Sequence, residues 1–134
     1  MARQGIQQRV TTLLEATNTV GGYVSSLVCT DSGLVVASAG ETAAAENTAA
    51  VASLFDDVLQ RARRDLGFED VDEVTLDDPT RGRTVIRPLP LEGHTKLFLV
   101  VLVPRQATWR RNTNQLIKQL APILRPLVGD EEME

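Results

Sequence analysis

Two short apolar runs, Tyr23 to Thr30 and Leu34 to Ala39, are hinged on Asp31-Ser32-Gly33 and lead straight into a long alanine-rich stretch from Ala43 to Leu66. A hairpin this short cannot bury its own two faces, so a helix must cover one side and the rest of the chain the other. The hinge supplies Gly33, which tolerates the positive φ a tight turn needs. Ala44, Val51, Leu54, Phe55, Val58, Ala62 and Leu66 recur at helical spacing, Thr42 is placed to cap the helix and Gly67 to end it. Burying the large members of that stripe is worth roughly 1.5–3 kcal/mol each, which makes it the expected core face.

The alanines add a second stripe. Ala43, Ala44, Ala45, Ala49, Ala50 and Ala52 clothe nearly every side of the early turns with small groups, which lets a second helix approach closely. Alanine is also the best helix former, and composition alone does not separate the two reasons.

Other elements follow from period and punctuation. Ile6, Val10, Leu13 and Leu14 mark a first amphipathic helix that ends before Gly21-Gly22. An acidic block from Glu69 to Asp78 contains Val71, Val74 and Leu76, a short charged strand suited to a sheet edge. Arg83 to Leu91 forms the next strand, with pairing expected to fail towards Pro88 and Pro90. Lys96 to Val103 is nearly continuous Leu and Val, the pattern of a central strand covered on both faces. Trp109 to Leu127 repeats at helical spacing, with Pro122 expected to kink or break it near its last turn. The expected fold is α+β, in the order α-β-β-α-β-β-β-α, with one five-stranded, mainly antiparallel sheet and helices on both faces. A single domain spans 1–134, ordered from about 5 to 128, followed by a short acidic tail at 129–134.

Composition excludes several functions. A net charge of −4 is the wrong sign for a general nucleic-acid binder. Cys29 is the one cysteine, so no disulfide framework or multi-cysteine zinc site is expected. No apolar run is long enough to span a bilayer, and no membrane insertion and a cytoplasmic location are expected. His94 sits beside a turn glycine and reads as an exposed loop residue, Asp57 has Arg61 four residues on as a helical ion pair, and no phosphate-binding loop occurs. No catalytic residue, cofactor or metal site is assigned, and the chain is not expected to be an enzyme. Arg111, Asn114, Lys118 and Arg125 fall along one polar face of the last helix and suit an acidic protein better than RNA.

The segments GGYVSSLVCTDSGLVVASAG, TAAAENTAAVASLFDDVLQRA and TKLFLVVLVP, in that order, resemble the roadblock family of dynein light-chain-like proteins, over essentially Ile6 to Leu127. Among its bacterial members the likeness is to the mutual-gliding type, which acts on a Ras-like small GTPase. The resemblance implies a homodimer with antiparallel long helices and third strands paired across the two-fold axis. It also implies a regulator that presents the paired helices to the GTPase and supplies no catalytic group of its own. Ala45, Ala49, Ala52, Asp56 and Leu59, with Val74 on the third strand, are the implied dimer positions, and Glu46, Ser53, Asp57, Gln60 and Arg64 the implied partner-facing ones. Ala49→Arg is then expected to split the dimer. Some members carry a longer C-terminal extension that aids nucleotide exchange; only Gly129 to Glu134 follow the last helix here, so exchange by that route is not expected. A non-catalytic adaptor is the alternative reading, and a small-molecule sensor ranks last because Leu, Val and Phe fill the space between sheet and helix.

Overall fold

The computed structural model describes residues 2–41 and 44–129, with side chains from Gly5 onward at the N-terminus. Its elements are α1 (Ala2–Gly21), β1 (Ser25–Thr30), β2 (Val35–Gly40), α2 (Ala45–Leu66), β3 (Val74–Asp78), β4 (Gly82–Pro88), β5 (Leu97–Val103) and α3 (Arg110–Leu124), which tightens into a 3-10 turn at Arg125–Leu127. The five strands lie in the order β2-β1-β5-β4-β3, and every neighbouring pair is antiparallel. The element order and mixed α+β architecture are those the sequence implies.

Local chemistry explains the boundaries. Gly33 sits in the β1–β2 turn at φ +90°, and a Cβ there would come within 3.4 Å of the Ala50 backbone on α2. Gly82 opens β4 at φ +104°, where a Cβ would collide with the Val103 carbonyl oxygen, so no other residue fits that corner. Pro88 is the last residue of β4, still opposite Phe98, and Pro90 lies beyond the ladder. Pro122 does not stop α3 at once; the helix runs two residues further before the 3-10 turn. The expected cap Thr42 lies outside the described residues, and Ala44 precedes the first turn of α2.

Two cores flank the sheet. The larger joins α1 and α3 to one face, with Val10, Leu14, Val28, Val85, Leu99, Val101, Leu116, Leu120 and Leu124 all buried. The smaller lies between α2 and the other face and holds Leu27, Cys29, Ile86, Phe98 and Val100 against Ala49, Ala52 and Leu59 of the helix.

That second core corrects the expected helix faces. Val51, Leu54, Val58 and Leu66 are 46%, 69%, 49% and 69% exposed, so most of the large apolar stripe of α2 does not enter the core, and only Phe55 among its large members packs against it. Ala49 and Ala52 are 0% exposed and Leu59 is 4% exposed, packed on the sheet of their own chain with Ala45 beside them. Leu27, Phe98 and Val100 already fill the sheet surface, so the helix settles through its small side chains. Ala45, Ala49 and Ala52 serve close approach to the sheet, whereas Ala44 and Ala50 stay exposed, and in the single chain Ala49, Ala52 and Leu59 are buried against their own sheet. Ala49→Arg is therefore expected to unfold or severely destabilise the single chain, because an arginine has no space and no anion there. A thermal melt of the variant checks this; an unchanged melting temperature with a halved mass would return Ala49 to the dimer contact.

Candidate partner-binding surface

Strands spaced about 4.8 Å apart make a five-stranded sheet roughly 20 Å across, whereas one helix with its side chains is about 10 Å wide. Each face therefore needs two helices. The far face has α1 and α3, but the near face has α2 alone. Gly33 of the β1–β2 turn lies against Ala49, Ala50 and Ser53, which puts that flank of α2 towards β2. The opposite flank, through Thr48, Val51, Phe55 and Val58, faces β3.

Between the N-terminal turn of α2, at Ala44 and Thr48, and the β3–β4 hairpin runs an open groove of about 590 Å³, with Leu76, Thr84, Val100 and Leu102 among its lining. Its floor is uncovered sheet. Leu76 is 43% exposed on β3, and β3 itself pairs with β4 on one side only. Leu54, further along α2, is 69% exposed, and Phe68, 53% exposed, lies just past the end of the helix. An apolar helix stripe, a bare half-sheet and an open strand edge thus lie side by side.

The sequence-assigned residues divide around this surface. Val74 is half-buried and packs against the smaller core at the start of β3. Asp56 pairs with Lys96 at 3.2 Å, beside a second hollow of about 400 Å³ that Gln60 also lines. Ser53 turns its hydroxyl onto the Ala50 carbonyl at 2.7 Å. Glu46, Asp57 and Arg64 are exposed, with Asp57 bonded to Arg61 at 3.0 Å and Arg64 to Asp65 at 3.4 Å. The outward group is therefore on one flank and the crest of α2, while Val51, Leu54 and Val58, which the partner assignment omits, carry the apolar exposure. Their signal was present in the sequence as a second stripe at i, i+3 and i+7.

A polar latch that the sequence reading missed holds the chain just before β3. Arg87, 7% exposed, donates to the Thr113 hydroxyl at 2.9 Å and to the Asn114 side-chain amide oxygen at 2.5 Å, and its guanidinium lies 3.9 Å from Glu73. Glu73 also accepts from the Trp109 indole and from Arg110, each at 3.1 Å, and Arg110 reaches Asp72 at 3.1 Å. The hydrogen bond from Arg110 holds the Asp72 carboxyl below the usual carboxylate range. Burial lowers the Arg87 guanidinium, and adjacent Arg110 adds to that.

Reactive chemistry is sparse. Burial pushes the Cys29 thiol up to about 12, which keeps it neutral and unreactive. No group of His, Cys, Asp and Glu suited to a metal ion occurs among the described residues, and no described helix is long and apolar enough to cross a membrane.

No family model and no curated protein matches the sequence. Solved structures do. Myxococcus xanthus MglB superposes with a TM-score of 0.76 at 12% identity, covering 92% of this chain and 93% of that one. The gliding protein MglB of Thermus thermophilus gives 0.73 at 18% identity, over 88% and 90%. A Roadblock/LC7 domain from Streptomyces avermitilis gives 0.69 at 20% identity, over 87% and 95%. With its element order, sheet topology and near-complete superposition taken together, the chain has a roadblock-like fold resembling that of MglB.

Proposed function

We propose that this protein is a cytoplasmic, non-enzymatic homodimer that regulates a Ras-like small GTPase. The observation that carries the first half is the sheet face that α2 covers only in part, next to the unpaired edge of β3. Antiparallel pairing of β3 with its copy places the two-fold axis perpendicular to the sheet, so both α2 helices fall on the same side. Each then lies over the groove of the other, and Val51, Val58 and Leu76 leave water. Regulation of a GTPase rests on the resemblance to the mutual-gliding type and on the likeness in fold. The crest of the helix pair, with Leu54, Asp57 and Arg61, is the docking face in this reading.

Such a regulator acts by holding the GTPase's own groups in place. Phosphoryl transfer responds strongly to positioning and electrostatics, so no residue of this chain need touch the phosphate. The test uses the purified protein and Ras-like small GTPases from the same organism, with phosphate release followed under single-turnover conditions. Faster release, with a complex of two chains to one or two GTPases by light scattering, is expected. Firm binding with unchanged hydrolysis would replace regulation by an adaptor role; absence of binding would end both.

A further inference from the structure

Charge is segregated across this molecule. Residues 2–21 and 105–127, which form α1, α3 and its lead-in, contain seven Lys and Arg and one acid, Glu15, for a net charge of +6, while residues 22–104 carry −6 and the acidic tail after α3 carries −4. The cations of the negative part are largely consumed. Arg61, Arg63, Arg64, Arg83 and Lys96 each pair with an aspartate within 3.4 Å. Among the described residues of the α1–α3 layer only Arg110 is in an ion pair, and it is turned towards Asp72 and Glu73. Among the described residues, Arg9, Arg111, Lys118 and Arg125 are exposed and make no ion pair.

Geometry gathers these four. Arg111, Lys118 and Arg125 recur every seven residues, which sets them about 10 Å apart along one stripe of the helix. The Tyr23 hydroxyl donates to the Trp109 carbonyl, so the end of α1 meets the start of α3 and the helices run antiparallel, with Arg9 towards the Arg125 end. Between the cations lie Asn114, Gln115 and Pro122, all exposed.

We infer that the α1–α3 face docks on an anionic lipid bilayer by charge alone. A protein partner is usually gripped by large apolar or aromatic anchors set in pockets. This face offers neither: Val20, at the far end of α1, is its one large apolar side chain exposed beyond two-thirds, and Trp109 is half-buried and tied to Glu73. Single-stranded nucleic acid is disfavoured for the same want of stacking rings. Widely spaced cations on a rigid helix suit a surface whose charges are diffuse and mobile, where each basic residue near the headgroups adds independently. Asp72 and Glu73 are held by Arg110, and Glu15 is the one acid of α1; charges more than about 8 Å from the lipid-facing cations are largely screened in physiological salt. Pairing through β3, which rests on the reading proposed above, places two such faces side by side and leaves the α2 crest turned away from the lipid.

The experiment is co-sedimentation of the full chain with phosphatidylcholine vesicles containing about one-third phosphatidylglycerol, against neutral vesicles, at low and high salt. Binding to the anionic vesicles at low salt, lost at high salt and absent with neutral ones, is expected. Arg111→Glu with Lys118→Glu and Arg125→Glu should weaken it at least about 50-fold with an unchanged melting temperature, and the corresponding Gln variants should fall between. No binding to anionic vesicles, binding untouched by the triple reversal, or binding only to duplex DNA or an acidic polypeptide would each overturn the inference. Light scattering in the same buffer separates the two readings: a single chain that still binds vesicles removes the dimer and leaves the lipid face standing.

Discussion

Val51→Asp with Val58→Asp is expected to convert the protein to single chains of 14.6 kDa while leaving them folded. Both side chains are about half exposed in the lone protomer, at 46% and 49%, so the substitutions cost little there. In the proposed pair they lie in the seam between the two α2 helices. Every association would then have to desolvate carboxylates with no cation placed to meet them, at a cost of several kcal/mol. Since about 1.4 kcal/mol is a factor of ten, the dissociation constant should rise at least about a hundredfold. Light scattering reads the mass, and circular dichroism confirms the fold. A persistent dimer would place the seam elsewhere, whereas loss of pairing together with loss of GTPase stimulation would join the two halves of the proposal.

Arg87→Met is expected to lower stability by about 2–4 kcal/mol and the melting temperature by about 10 °C. Methionine fills much of the same space, but the side-chain amide oxygen of exposed Asn114 must turn to water for its donor, and the Thr113 hydroxyl loses the arginine while keeping its donation to the Trp109 carbonyl. Glu73 keeps Trp109 and Arg110, so the loss is smaller than for a fully orphaned carboxylate. The latch is also acid-sensitive. Asp72 has its folded pKa depressed by Arg110, so its contribution is complete above the ordinary aspartate range and is lost as pH falls through the lowered value. Arg110→Gln should therefore flatten the dependence of stability on pH at the acid end. A melt series from neutral pH downward checks both variants; an Arg87→Met protein as stable as the parent would show that the latch contributes nothing.

The fold was legible because its strongest signals are one-dimensional. Lys96 to Val103 reads as a doubly covered strand from its unbroken Leu and Val, and it occupies the centre of the sheet. Gly33 and Gly67 mark turns that only their backbone freedom permits, at φ +90° and +76°. The faces of α2 were not legible. Its sequence holds two apolar stripes, one of Ala45, Ala49, Ala52 and Leu59, the other of Val51, Leu54 and Val58, and periodicity scores both. Hydrophobicity favours the larger residues for the core, but steric fit to the crowded Leu27–Phe98–Val100 surface favours the smaller. That fit is a property of two strands distant from the helix in sequence, so no window along the helix contains it. The latch escaped for the same reason: Glu73, Arg87 and Arg110 are far apart in sequence, and each taken alone is an ordinary surface charge.

The two cores differ in what they owe to a second copy. Val10, Leu14, Leu116, Leu120 and Leu124 are sealed on the side remote from β3 and the α2 crest, and they are complete in one chain. In the proposed pair, separation at the seam would therefore wet Leu76 and the valines of α2 without opening the principal interior. Differently labelled subunits should reassort on the timescale of dissociation, with no detour through unfolded chains, and a closely related sequence could take one of the two places.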